Sequence, residues 1–150
     1  MHNKNLYQKV TLLLFVLLAL ACENKGLDSA NIIFVAQNGG IVPQEIIPHK
    51  QEGVSLEKGN IYGWQLYVDS DQPVSWKEEV ILPALPKFWD GKEAASKTYI
   101  TEKTSVPKKV QGKYMVSNSW SVAEGDPAGN YIFNVYVDDK RIKQFNIAFK

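Results

Sequence analysis

The chain has 150 residues, with 17 Lys+Arg against 16 Asp+Glu, one Cys and two His, and 45% of its residues are hydrophobic. This suits one ordinary globular domain, and a formal net charge of +1 leaves no electrostatic footprint for nucleic acid. A single cysteine excludes an intramolecular disulfide framework and a thiolate-rich zinc site, while two histidines, one of them at position 2, leave little for nucleophilic or metal-assisted catalysis.

The chain opens with Lys4 and Lys9 and no acid, followed by Val10 to Ala21, in which only Thr11 is not apolar. A basic segment, a short apolar run and small residues before a cleavage point form a secretory signal. Twelve helical residues span about 18 Å, short of a hydrocarbon core of roughly 30 Å, so a permanent membrane helix is not expected there. The only cysteine follows at once, in Leu18-Ala19-Leu20-Ala21-Cys22. This resembles the lipobox of bacterial lipoproteins, and the resemblance implies cleavage after Ala21 and lipidation of Cys22. The alternative is an ordinary signal peptide with an incidental thiol. The expected plan is therefore a signal over residues 1–21, a short polar tether over 22–29 and one domain over 30–150. Two or three acyl chains on Cys22 would hold the protein stably to a membrane of the bacterial cell envelope.

Beyond the tether, period-two apolar patterns dominate and no sustained helical stripe or repeat is visible. Asn31 to Ala36 predicts a first strand, stopped by Asn38-Gly39-Gly40. Asn60 to Val68 predicts a second, with Tyr62, Trp64, Leu66 and Val68 on one face. After a turn at Asp69 to Pro73, Val74 to Leu82 predicts a third. Pro83 and Pro86 end it, because neither can donate a ladder hydrogen bond. The stretch from Pro83 to Ala95 reads as a loop. Lys97 to Lys103 reads as a polar edge strand. Tyr114 to Trp120 follows a turn at Gln111-Gly112. Asn130 to Val137 and the return through Phe145, Ile147 and Phe149 form a hairpin about Asp138 to Arg141.

About seven short strands in roughly 120 residues fit an immunoglobulin-like antiparallel β-sandwich, an all-β fold, with a helix-containing α+β domain as the alternative. Gly125 to Tyr131 supports the sandwich, since a tight turn leading into a tyrosine is where a tyrosine corner sits. Trp64 could serve as the central core tryptophan. Lys58 to Trp64, Trp76 to Glu79, Leu82-Pro83, Gly125 to Tyr131 and Phe145 together resemble a family of secreted bacterial immunoglobulin-like domains, often lipoproteins, with no established activity. The resemblance covers most of residues 30–150. Its motifs are turn and core residues, so it implies a fold and no catalytic role.

The candidates for chemistry are few. His49 lacks a nucleophile and an orienting acid in any recognisable pattern and reads as a surface-loop histidine. Asp69-Ser70-Asp71 and Asp138-Asp139 could supply some calcium ligands, but both lie between strands, where Asp favours turns. Glu78 and Glu79 are adjacent in a strand, point to opposite faces and cannot serve as a glycosidase pair. Lys108-Lys109 and Lys140-Arg141 are too small for a phosphate site.

Trp64, Trp76 and Trp120 lie in strand patterns and are expected in the core. Phe88 and Trp89 sit in the proline-flanked loop, where nothing in the alternation requires burial, and exposed aromatics are favoured interface anchors. The other reading is that such a ring folds back to plug the end of the sandwich. The expected function is thus a lipid-anchored, non-catalytic module that binds another envelope protein through Phe88 and Trp89 or through an edge strand. No cofactor, metal or nucleic acid is expected. The alternative is a carbohydrate-binding module using exposed aromatics, Trp89 and Tyr99.

Overall fold

The computed structural model describes residues 32–37, 53–89 and 91–150. The signal segment, Cys22, the tether, the Asn38-Gly39-Gly40 stop and His49 lie outside the described residues.

The described residues form ten strands: β1 (Ile32–Gln37), β2 (Ile61–Val68), β3 (Val74–Ile81), β4 (Phe88–Trp89), β5 (Lys92–Glu93), β6 (Thr98–Ser105), β7 (Lys108–Val110), β8 (Lys113–Ser121), β9 (Gly129–Val137) and β10 (Lys140–Phe149). They build two four-stranded antiparallel sheets in the orders β1-β2-β8-β7 and β10-β9-β3-β6, with β4-β5 as a separate ribbon. No helix is present among the described residues. The chain is an all-β sandwich, as its alternation predicts, and β6 is an edge strand.

Seven of the strands have at least six residues, and these are the seven expected from sequence. The three others required correction. The segment from Pro83 to Ala95 is not simply a loop, because Phe88–Trp89 pairs with Lys92–Glu93. Residues 108–110 pair with β8 ahead of the Gln111-Gly112 turn. Runs of two or three residues are too short to display a period, which explains why sequence patterning passes over them.

Alternation sets the interior. Along β3, Trp76, Glu78 and Val80 are buried while Ser75 is exposed and Lys77, Glu79 and Ile81 are half-buried. Along β9, Tyr131, Phe133, Val135 and Val137 are buried. Two clusters result. One contains Phe34, Tyr62, Val80, Trp89, Phe133 and Phe149, among others, and the second is built around Trp64, Leu66, Trp76, Val135 and Val137. Trp64 is fully buried and packs edge-on against Trp76, with centroids 5.1 Å apart.

Three local devices fix the frame. The Tyr131 hydroxyl donates to the Pro127 carbonyl at 3.0 Å, which is the tyrosine corner expected from Gly125 to Tyr131. Asp138 and Asp139 both take positive φ, 47° and 62°, so the β9–β10 hairpin turns through two left-handed residues, as a tight two-residue hairpin requires. Gly63, finally, lies where a Cβ would stand 2.1 Å from the Asn118 carbonyl oxygen, so β2 and β8 can approach here only without a side chain.

Candidate functional site

The acidic pair of β3 separates as period two demands. Glu79 accepts from Asn134 Nδ2 at 2.7 Å, whereas Glu78 turns inward and is fully buried. Glu78 Oε2 accepts from Trp64 Nε1 at 2.6 Å, and Oε1 accepts from Asn118 Nδ2 at 2.9 Å and Trp120 Nε1 at 2.8 Å. Its partners stand on β2 and β8, so these bonds cross from one sheet to the other. They also join the two apolar clusters, since Trp64 belongs to one and Trp120 packs against the other. In antibody domains a disulfide ties the sheets beneath the core tryptophan. Here a carboxylate makes that connection.

Burial pushes the Glu78 carboxyl above its ordinary range, and the bonds from Trp120, Trp64 and Asn118 hold it back only in part, with a smaller contribution from the Lys103 charge. Desolvation therefore outweighs the hydrogen bonds. A hydrogen bond to a charged group is worth about 1.5–3 kcal/mol, and taking a carboxylate from water costs several kcal/mol. The network consequently specifies how the sheets face one another more than it adds net stability.

Above this network, at one end of the sandwich, the β4–β5 ribbon borders an open cleft of about 310 Å³. Its walls are Tyr62, Phe88, Trp89 and Trp120, with the Asp126 carboxyl at the side. Trp89 stacks on Tyr99 at 4.7 Å between centroids and leans on Trp120 at 5.3 Å. Asp126 Oδ2 accepts the Ala123 backbone N–H at 2.9 Å. Burial raises the Asp126 carboxyl above its ordinary value, partly offset by that bond. Tyr62 is raised strongly, first by burial and then by the charges of Asp126, Tyr131 and Glu78.

The two readings of the loop aromatics divide between the two rings. Phe88 is 50% exposed, but Trp89 is only 8% exposed and belongs to the core. Strand pairing explains the split: Phe88 and Trp89 are neighbours on β4, so their side chains take opposite faces. Trp89 therefore plugs the end of the sandwich. Tyr99 is half-buried against it, so these two rings cover each other instead of offering flat faces to a sugar. Of the strand tryptophans, Trp64 and Trp76 are buried and Trp120 is half-buried.

Tyr62, Trp120 and Asp126 as cleft residues, and Glu78 as a buried acceptor, are not among the sequence candidates. For Glu78 the sequence holds a signal, because it shares the parity of Trp76 and Val80. For the cleft no such signal exists, since its walls come from three separated segments. Among the described residues, no cluster of three or more His, Cys, Asp or Glu could hold a metal ion. No helix among them is long and apolar enough to cross a membrane.

Two strand-paired sheets closed by a tyrosine corner, with a core tryptophan between them, define an immunoglobulin-like β-sandwich. The family described as PM0630 beta sandwich domain matches residues 33–150, and the chain belongs to it. An immunoglobulin-like protein from Pseudomonas aeruginosa, known from its crystal structure, is similar in fold, with a TM-score of 0.58 and 13% sequence identity over 79% of this chain and 91% of that one. No curated protein matches the chain.

Proposed function

We propose that this chain is a lipid-anchored, extracytoplasmic module that binds another cell-envelope protein and catalyses nothing. The observation that carries the reading is the Phe88 ring, which stands half-exposed on a short ribbon at the mouth of an aromatic cleft. Large exposed aromatics on a rigid support are efficient interface anchors, because they offer much area and lose little entropy. The anchor is proposed from Leu18 to Cys22 alone.

A photo-crosslinking residue at position 88 in the native host tests the partner. One dominant captured protein is expected. Capture only from position 100, on the exposed face of edge strand β6, would move the contact to that edge and overturn the role of Phe88. Metabolic labelling with a fatty-acid analogue tests the anchor. The label is expected on the native chain and absent from Cys22→Ser, and equal labelling of both would sink it.

The carbohydrate alternative has less support. Its proposed platform, Trp89 with Tyr99, is occupied by mutual stacking.

A further inference from the structure

We infer that the cleft walled by Tyr62, Phe88, Trp89 and Trp120, with Asp126 at its side, receives a lysine side chain from the protein partner. This rests on the reading that the β4–β5 face is the contact surface, and it names the chemistry of that contact.

The argument begins from charge. Asp126 has a backbone N–H on Oδ2 but no ion pair among the described residues. None of the described cleft residues carries a positive charge. The Tyr62 phenol in its wall is raised first by burial and then by the charges of Asp126, Tyr131 and Glu78. Such a site repels anions and attracts a cation.

The walls favour the same ligand. Aromatic faces attract ammonium groups, most strongly when water is partly excluded. Trp120 donates its indole N–H to the buried Glu78 carboxylate, and a hydrogen bond to a carboxylate leaves the ring richer in electrons. The electron-rich ring is also a cleft wall. A lysine meets both requirements at once, since its aliphatic stem covers ring surface while its ammonium reaches a carboxylate. An instance lies next door: the Lys87 ammonium stands 5.4 Å from the Phe88 ring centroid, although Lys87 does not line the cleft.

The test uses the purified full chain and two capped tripeptides, acetyl-Gly-Lys-Gly-amide and its norleucine counterpart, followed by the tryptophan indole N–H resonances. The lysine peptide is expected to move the Trp89 and Trp120 signals saturably, leaving Trp64 and Trp76 in place, and the norleucine peptide to bind at least about tenfold more weakly. Asp126→Asn keeps an oxygen for the Ala123 N–H, and it is expected to weaken lysine binding by about tenfold. Phe88→Ala, at a half-exposed position, gives an independent reading, with weaker binding expected. Tetramethylammonium binding while the lysine peptide does not would assign the cleft to a free quaternary amine and overturn the proposal. Equal binding of the two peptides, or no shift with either, would also overturn it. Capture of a partner from position 88 with no lysine binding would remove this inference and leave the binding-module reading standing. Lysine binding with no partner captured would leave a lysine-binding cleft and remove the protein partner from the proposal.

Discussion

The Trp64 indole nitrogen lies 2.6 Å from Glu78 Oε2, and this contact joins β2 of one sheet to β3 of the other through the middle of the sandwich. Glutamine at position 78 would keep the shape but place an NH2 group against donors. One of the three donors would lose its acceptor. Glu78→Gln is expected to lower unfolding free energy by about 2 kcal/mol, read as a shift of the urea midpoint without a change of slope. An unchanged midpoint would mean that the three bonds add nothing over a neutral amide.

The same burial gives a pH dependence with a definite sign. Glu78 and Asp126 are both raised in the fold, above ordinary values of 4.5 and 3.8, chiefly by desolvation. Between its ordinary and raised pKa, each folded carboxyl holds a proton that the unfolded chain has lost. Their contribution is therefore full below the ordinary values and is lost as pH rises through the raised ones. Melting temperatures measured from mildly acidic to neutral pH are expected to show this decline. Glu78→Gln and Asp126→Asn should each flatten part of it.

Gly63 tests the packing of β2 on β8. A methyl there would meet the Asn118 carbonyl oxygen at 2.1 Å and Ser119 Cα at 2.8 Å, both backbone atoms that cannot swing aside. Gly63→Ala is expected to cost about 3 kcal/mol. Since Asn118 also donates to Glu78, the displacement should reach the Trp64 and Trp120 indole N–H resonances. Glycine-like stability with unmoved resonances would refute the close approach.

At the tyrosine corner, Tyr131→Phe removes one hydroxyl and leaves a ring that stacks on Phe149 at 3.9 Å between centroids. The expected cost is about 1 kcal/mol. A loss several times larger would mean that the hydroxyl organises the turn from Gly125 as well as capping it.

Phe88 and Trp89 are adjacent in sequence and opposite in consequence. Trp89→Ala opens a cavity beside Tyr99 and Trp120 and is expected to cost about 3–5 kcal/mol. Phe88→Ala is expected to change stability by only about 0.5 kcal/mol. Parallel thermal unfolding of the two variants checks the assignment. Similar losses at both positions would show that the ribbon does not sort the rings as described.

Much of the architecture is written in local patterns. The seven long strands follow from alternation, the β9–β10 turn from paired aspartates, and the tyrosine corner from a tight turn before Tyr131. These features depend on residues close together in the chain, where a period of two leaves a readable trace. Even the burial of Glu78 is implicit in its parity with Trp76 and Val80. Its partners are not, because Trp64, Asn118 and Trp120 reach it from another sheet.

The tertiary structure alone decided the fate of Trp89 and the composition of the cleft. Two residues of strand carry no period, so sequence could not show which of Phe88 and Trp89 faces inward. The cleft draws Tyr62, Trp89 and the segment from Trp120 to Asp126 from distant positions, and their proximity arises only when the sheets close. Alternation tells a side chain which face to take. It does not tell that face what it will meet.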